Sequence, residues 1–120
     1  MSLLEQPPGL DDPARLRLES GRTCDRLRSM SLTRLDALLA DGRSRSRAAL
    51  DLAQQFADAA ALLAGRPVRA LPDLASPAAG DVLAVCALDL AEELDRSAGD
   101  DSTAVCRGAV QDLVSLRQQL

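Results

Sequence analysis

The sequence contains no histidine, lysine, asparagine, isoleucine, tryptophan or tyrosine, and Phe56 is its only aromatic residue. Without histidine the chain lacks the side chain that most readily titrates near neutral pH and the commonest metal ligand, which excludes Ser-His and Cys-His nucleophiles. A ferritin-like di-iron site is excluded as well, because its Glu-x-x-His motifs need histidine. All fourteen basic residues are arginines, which we attribute to the codon bias of a GC-rich genome.

Disulfides and membrane segments are also not indicated. The three cysteines, Cys24, Cys86 and Cys106, are odd in number and widely spaced, which argues against a disulfide framework. Each lies on or beside an apolar helical stripe, where cysteine behaves as a small hydrophobe. No apolar stretch approaches the roughly 20 residues of a membrane span, and Met1 to Glu5 lack the basic flank of a signal peptide. We therefore expect a cytoplasmic protein without membrane contact.

What the chain does contain favours helices. Its hydrophobic share of 47% is supplied mainly by leucine, alanine and valine, and leucine and alanine are good helix formers. A chain of 120 residues is the size of one domain. We predict an all-α protein, an antiparallel helical bundle of about four helices spanning residues 13–120, behind a flexible N-terminal arm at 1–12.

Helix boundaries are marked by caps and breaks. The first predicted helix begins near Pro13 behind Asp12 and extends to residue 40, and the serines at 29–31 divide it into two possible helices, 13–29 and 32–40. The second is capped by Ser44 or Ser46 and ends at Gly65. The fourth follows the acidic segment Asp100-Asp101-Ser102-Thr103. The short turn at 98–102 predicts that helices three and four form an antiparallel hairpin.

A long connection separates predicted helices two and three. Residues 65–80 contain three prolines and cannot form a continuous helix. Connections of this length are uncommon in a compact domain and are often functional. We favour a packed strap, with Val68, Leu71 and Leu74 facing the fold, over a lid on a binding site.

The third predicted helix is apolar on more than one face. It begins at Ser76–Pro77 or at Asp81, ends at Gly99, and has a core stripe of Leu83, Cys86, Ala87, Leu90 and Leu94. Val82, Val85 and Leu88 lie outside that stripe. A helix that is apolar nearly all round is normally covered on several sides, so it is either the central helix of the bundle or also contacts another subunit.

Charge is distributed unevenly along the chain. Residues 1–70 carry eleven arginines and nine carboxylates, a net charge of +2, whereas residues 71–120 carry three arginines and nine carboxylates, a net charge of −6. This asymmetry is explained by complementary helices inside one bundle, or by an antiparallel dimer or external partner. Arg43, Arg45 and Arg47 form a basic turn that is a second candidate contact. Contact with nucleic-acid phosphates is less favoured, because the chain is acidic overall and lacks aromatic residues to stack on bases.

One acidic cluster is a candidate metal site. Asp89, Glu92 and Glu93 supply the oxygen ligands that Mg²⁺ prefers, and they resemble the carboxylates of all-α nucleotide pyrophosphohydrolases of the MazG type. In that family the paired glutamates are followed by another acid, whereas the corresponding residue here is Arg96, and no second acidic cluster is evident. The alternative explanation is a set of solvated acids at a helix end.

A second resemblance covers residues 80–90, whose sequence is Gly-Asp-Val-Leu-Ala-Val-Cys-Ala-Leu-Asp-Leu. It resembles a segment of the form G-D-Q-L-A-V-T-G-H-D-L found in small actinobacterial helical proteins of unknown function. Leu88 stands where that segment has histidine, so no role of the histidine carries over. The resemblance implies a bacterial origin and supplies no activity.

These observations lead to one main hypothesis about function. We expect a non-enzymatic protein–protein interaction or accessory helical bundle without a cofactor, self-associating through Val82, Val85 and Leu88 of the third helix or binding another protein. The alternatives are a degenerate MazG-like metal-dependent nucleotide hydrolase using Asp89 and its neighbours, and a nucleic-acid-binding regulator.

Overall fold

A computed structural model describes residues 8–97 and 99–120 of the chain. These residues form an all-α fold with five α-helices, which are α1 (Pro13–Arg28), α2 (Leu32–Asp36), α3 (Arg45–Ala64), α4 (Ala79–Arg96) and α5 (Asp100–Gln119). The all-α prediction is confirmed. The structure has five α-helices where about four were predicted. The additional one is the five-residue α2, because the first predicted helix is divided near residues 29–31, which was one of the two possibilities given above.

Local capping residues fix the helix ends. The Asp12 side chain accepts a hydrogen bond at the start of α1, where Pro13 is the first helical residue. The Ser44 hydroxyl accepts a hydrogen bond from the Arg47 amide at 3.0 Å and begins α3. Gly65 ends α3 with a φ of 69°, a left-handed conformation that favours glycine. The predicted boundaries of this helix are therefore confirmed.

Helix α4 is the centre of the fold. It packs against α3 on one side and α1 on the other, so two neighbours cover it. Its buried side chains include the whole predicted stripe, and Ala79 and Ala91 are buried as well; the stripe is Leu83, Cys86, Ala87, Leu90 and Leu94. The apolar character of this helix is thus explained in large part by its central position.

The directions of the neighbouring helices differ between the two sides of α4. Arg17 and Arg28, near opposite ends of α1, pair with Asp95 and Asp81 respectively, so α1 and α4 run in opposite directions. On the other side, the Ser46 hydroxyl at the start of α3 donates to the Ser76 hydroxyl just before α4, at 3.1 Å.

The far ends of α3 and α4 also meet. The Arg66 guanidinium, just beyond α3, lies 3.7 Å from the carboxylate of Glu93 near the end of α4. Because the first residues of α3 lie beside the start of α4, and the end of α3 lies beside the end of α4, the two helices run in the same direction. An antiparallel arrangement is therefore not confirmed for this pair.

This shared direction explains the long connection. After α3 the chain must return along nearly the whole helix, about 30 Å for 20 residues, which needs roughly nine extended residues. The fourteen residues between Ala64 and Ala79 are enough to do so. Only Leu71 of the three expected apolar contacts packs against the core, since Val68 and Leu74 remain half-exposed.

Helix α5 packs mainly against α1 and only lightly against α4. The Thr23 hydroxyl of α1 donates to the Leu113 carbonyl of α5 at 3.3 Å. The predicted hairpin of the last two helices is therefore not a closely packed pair. The three cysteines are free and buried, as their odd number and wide spacing predicted.

The predicted N-terminal arm falls partly outside the described residues, which begin at Pro8. The carbonyl of Pro8 accepts a hydrogen bond from Arg15 at 2.9 Å, and Leu10 packs against the core. Across residues 8–97 and 99–120, none of the helices combines the length and the apolar character needed to cross a membrane.

Candidate functional site

The most distinctive surface of the protein is formed by α1 and α4 on the side away from the core. We call it the α1–α4 face and define it by the exposed residues of the two helices that lie there, which are Arg17, Leu18, Gly21, Arg28, Asp81, Val85, Leu88, Glu92 and Asp95. In α4 these positions follow the helical repeat, because residues 81, 85, 88 and 92 are spaced so that one face of a helix carries all four.

Two large apolar side chains are exposed on this face. Val85 is 59% exposed and Leu88 is 48% exposed, although both belong to the central helix of the fold. Leu18 of α1 adds a third, at 37%. Val82, the remaining residue of the predicted interface, is half-buried and packs against the core. Val85 and Leu88 thus remain candidate contacts, whereas Val82 is partly covered by the core.

Two ion pairs frame the α1–α4 face. The Arg17 guanidinium lies 2.6 Å from the Asp95 carboxylate at one end, and the Arg28 guanidinium lies 2.7 Å from Asp81 at the other. All four side chains are substantially exposed, so these pairs contribute little to stability. They place an arginine of α1 beside a carboxylate of α4 at each end of the face, although Asp25 of α1, 3.3 Å from Arg28, adds one carboxylate on the α1 side.

The glycine of α1 leaves a gap in this face. Gly21 is exposed in the interior of the helix, a position where glycine costs roughly 0.5–1 kcal/mol relative to alanine. A Cβ atom placed there would meet no other atom within 4 Å in the part of the chain that the structure describes. Nothing in the described part of one copy therefore requires a glycine at this position.

Two arginines of the basic turn form ion pairs with nearby carboxylates. The Arg43 guanidinium lies 2.8 Å from Asp41 and 3.0 Å from Asp51, and Arg47 also pairs with Asp51 at 3.0 Å. The third arginine, Arg45, is half-buried, and its Nε has no hydrogen-bond partner in the structure. These internal pairs reduce the positive charge available to phosphates or to an acidic partner.

The candidate metal ligands do not converge. Glu93 points to Arg66 and Arg96, with distances of 3.7 and 2.9 Å to their guanidinium groups, whereas Glu92 belongs to the exposed α1–α4 face. Asp89 lies at the edge of a cleft beside the long connection. In the described ranges, 8–97 and 99–120, no group of three or more potential ligands could hold a metal ion.

A buried charge cluster joins α1 to α5 and was not identified from the sequence. Glu19 is only 1% exposed, and its carboxylate lies 2.7 Å from Arg15 and 2.8 Å from Arg117. Burial alone would raise the pKa of Glu19, but the hydrogen bonds from the two guanidinium groups outweigh it and lower the pKa below its ordinary value. The arginines four residues before and three residues after Glu19 are the sequence signal for this cluster.

The cysteines offer no reactive thiolate. Burial raises the pKa of Cys106 to about 11, and it also raises the pKa values of Cys24 and Cys86. A thiol must lose its proton to act as a nucleophile or metal ligand. These side chains therefore act as buried apolar groups at neutral pH.

The comparisons with known proteins are negative. No protein-family model matches the chain, and neither the curated proteins nor the solved structures include a significant match.

Proposed function

We propose that this protein is a non-enzymatic interaction module that self-associates through the α1–α4 face. The supporting observation is the exposure of Val85 and Leu88 side by side on the central helix. Covering a leucine side chain is worth about 1.5–3 kcal/mol relative to leaving it in water. A second copy of the chain covers both residues without moving any helix.

Charge selects one of the two simple ways in which this face can meet its own copy. If α4 lies on the α4 of the partner, the carboxylates of Asp81, Glu92 and Asp95 face a second set of carboxylates. If α4 lies on the partner's α1 instead, those carboxylates face Arg17 and Arg28. Like charges held together in an interface cost several kcal/mol, so the second arrangement is the one we propose.

The ion pairs also set the register of this arrangement. Because α1 and α4 run in opposite directions, a two-fold axis parallel to both helices places each α1 antiparallel to the other copy's α4. Leu88 lies midway between Asp81 and Asp95, and Gly21 lies close to midway between Arg17 and Arg28. Leu88 of one copy therefore sits over Gly21 of the other, where the missing side chain leaves room for it.

The size of the face predicts a reversible dimer. Asp81 and Asp95 are fourteen residues apart, which is about 21 Å along a helix, and two adjacent helices are about 20 Å wide. Such a surface is smaller than the roughly 800 Å² that each partner buries in a standard stable interface. Association should therefore depend on protein concentration.

The direct test replaces Leu88 by glutamate. We expect the wild-type chain to show a dimer that dissociates on dilution in light scattering and analytical ultracentrifugation. Leu88→Glu should raise the dissociation constant more than about 100-fold, because it replaces an apolar contact over Gly21 by a charge that loses its water in the interface. Circular dichroism should show an unchanged helix content, since this side chain is exposed in the single chain.

Leu62→Glu is the matched control for that change. Leu62 lies on α3, outside the α1–α4 face, and is 72% exposed. It receives the same new charge and should leave the dissociation constant unchanged. A wild-type chain that stays monomeric at high concentration, or a Leu88→Glu variant that still dimerises, would contradict the proposed function.

Substitution of Gly21 tests the register separately. Gly21→Ala should stabilise the single chain by about 0.5–1 kcal/mol, because alanine is the better helix former and the space is open. In the proposed dimer the added methyl group meets Leu88 of the other copy, so the same change should weaken association.

Gly108→Ala supplies the control for this second test. Gly108 is also inside a helix and also has no atom within 4 Å of an added Cβ among the described residues, but it lies on α5. This variant should show the gain in unfolding free energy and no change in association. If Gly21→Ala dimerises as well as the wild type, the α1-on-α4 register is wrong.

A further inference from the structure

A second surface, on the side of α4 that faces α3, has the form of a ligand site. The cleft between α3, the start of the long connection and α4 has a volume of about 380 Å³, within the range of small-molecule sites. Its apolar lining comes from Ala57, Ala60, Ala61 and Leu71, and its charged residues are Arg66, Arg69 and Asp89.

The connection that borders this cleft is fixed to α3 by one side chain. Gln54 donates to the Arg69 carbonyl at 2.9 Å and accepts from the Leu71 amide at 2.7 Å. These two bonds hold the backbone of the connection at a set position. The connection is also about five residues longer than the crossover requires, and the alanines beneath it leave space that larger side chains would fill. The cleft is therefore preformed.

The charges at the cleft are of both signs. Arg66 pairs with Glu93 at 3.7 Å. Where the structure describes the chain, the side chains of Arg69 and Asp89 have no ion-pair partner, so the cleft offers one guanidinium and one carboxylate beside an apolar floor. A simple anion would be attracted by Arg69 but repelled by Asp89, and a simple cation the reverse.

We infer that this cleft binds a small zwitterion with an aliphatic body, an α-amino acid of the leucine type. The ligand's carboxylate accepts hydrogen bonds from Arg69, its ammonium group donates to Asp89, and its side chain covers the alanine floor. This chemistry matches every unpaired charge of the cleft with its opposite. The inference does not rest on the proposed self-association.

The test compares leucine with two analogues, each of which lacks one of its two charged groups. Leucine carries both charges, isocaproate lacks the ammonium group, and isoamylamine lacks the carboxylate. Titrated at millimolar concentrations into the isotopically labelled full-length chain, leucine should cause saturable chemical-shift changes at Ala57, Ala60 and Leu71. Isocaproate and isoamylamine should each bind at least about tenfold more weakly, because each loses one charge-assisted hydrogen bond.

Variants assign each charge to its residue. Arg69→Gln should weaken the binding of leucine and of isocaproate but not that of isoamylamine. Asp89→Asn should weaken the binding of leucine and of isoamylamine but not that of isocaproate. Ala57→Leu should weaken all three probes by filling the cleft. Arg107→Gln, an exposed arginine on α5, is the control for lost positive charge and should change none of them.

Two results would overturn the inference. One is the absence of saturable shifts with leucine at any millimolar concentration. The other is binding of leucine that neither Arg69→Gln nor Asp89→Asn changes, because the charged groups of the cleft would then have no role.

Discussion

Leu83→Ala is expected to lower the free energy of unfolding by about 2–5 kcal/mol, whereas Leu88→Ala, on the same helix, should lower it by less than about 1 kcal/mol. Leu83 is fully buried, and Leu88 is 48% exposed. The first change removes buried methyl groups and leaves a cavity in the centre of the fold. The second removes atoms that are already half in water and introduces a better helix former.

For self-association the order of the two effects should be reversed, with the larger effect at Leu88. Urea denaturation of both, at concentrations low enough for single chains, gives the two free energies. Ultracentrifugation at high concentration should then show weakened association for Leu88→Ala and a normal dimer for the folded fraction of Leu83→Ala. Equal losses of stability would mean that Leu88 is covered within one chain, and the α1–α4 face would not be available to a partner.

Glu19→Gln is expected to cost about 1.5–3 kcal/mol of unfolding free energy at neutral pH, the usual value of a hydrogen bond to a buried charge. The carboxylate is almost completely buried between Arg15 and Arg117. A glutamine side chain has the same size but no charge, so the guanidinium groups lose their electrostatic partner. Their partial exposure to water limits the cost.

The pH dependence of this variant follows from the lowered pKa of Glu19. A carboxyl whose pKa is lower in the folded than in the unfolded chain stabilises the fold above its unfolded pKa, and this contribution is lost as the pH falls through the folded pKa. The stability difference between wild type and Glu19→Gln should therefore be complete at neutral pH and disappear in acid, where both side chains are neutral.

Asp25→Asn is the control for this measurement. Asp25 lies on the same helix and pairs with Arg28, but its side chain is 79% exposed. Its replacement should change the unfolding free energy by less than about 0.5 kcal/mol. A stability difference between wild type and Glu19→Gln that persists in acid would show that shape, and not charge, sets the role of Glu19.

Features determined by neighbouring residues were predicted well from the sequence. Ser44 and Gly65 define α3 through contacts within a few residues of themselves, and the buried stripe of α4 follows the helical repeat. Such features depend on local backbone chemistry and on periodicity, both of which can be recognised in one sequence.

Features determined by distant residues were predicted less well. Periodicity identifies which side of a helix is buried but not the direction of its neighbour, so the shared direction of α3 and α4 could not be derived. The packing of α5 on α1 rather than on α4 depends on contacts such as that between Thr23 and Leu113, which are ninety residues apart in the chain.

The interface residues named from the sequence differ in their exposure. Val85 and Leu88 are exposed as an interface requires, whereas Val82 is half-buried because it lies towards α3. The exposed residues of α1 were not named from the sequence, because only the fold shows that α1 lies beside α4. The pairing of Arg47 with Asp51, four residues away, was not predicted, although the i, i+4 spacing permits it.

The parallel arrangement of α3 and α4 has a consequence for the speed of folding. Two helices joined by a short turn meet through contacts close in sequence, but α3 and α4 can pack only after the intervening fourteen residues have been drawn back along the helix. Closing that loop costs conformational entropy before any contact between the helices compensates for it. Among helical proteins of this size, we expect relatively slow folding, with docking of α4 onto α3 as the late step.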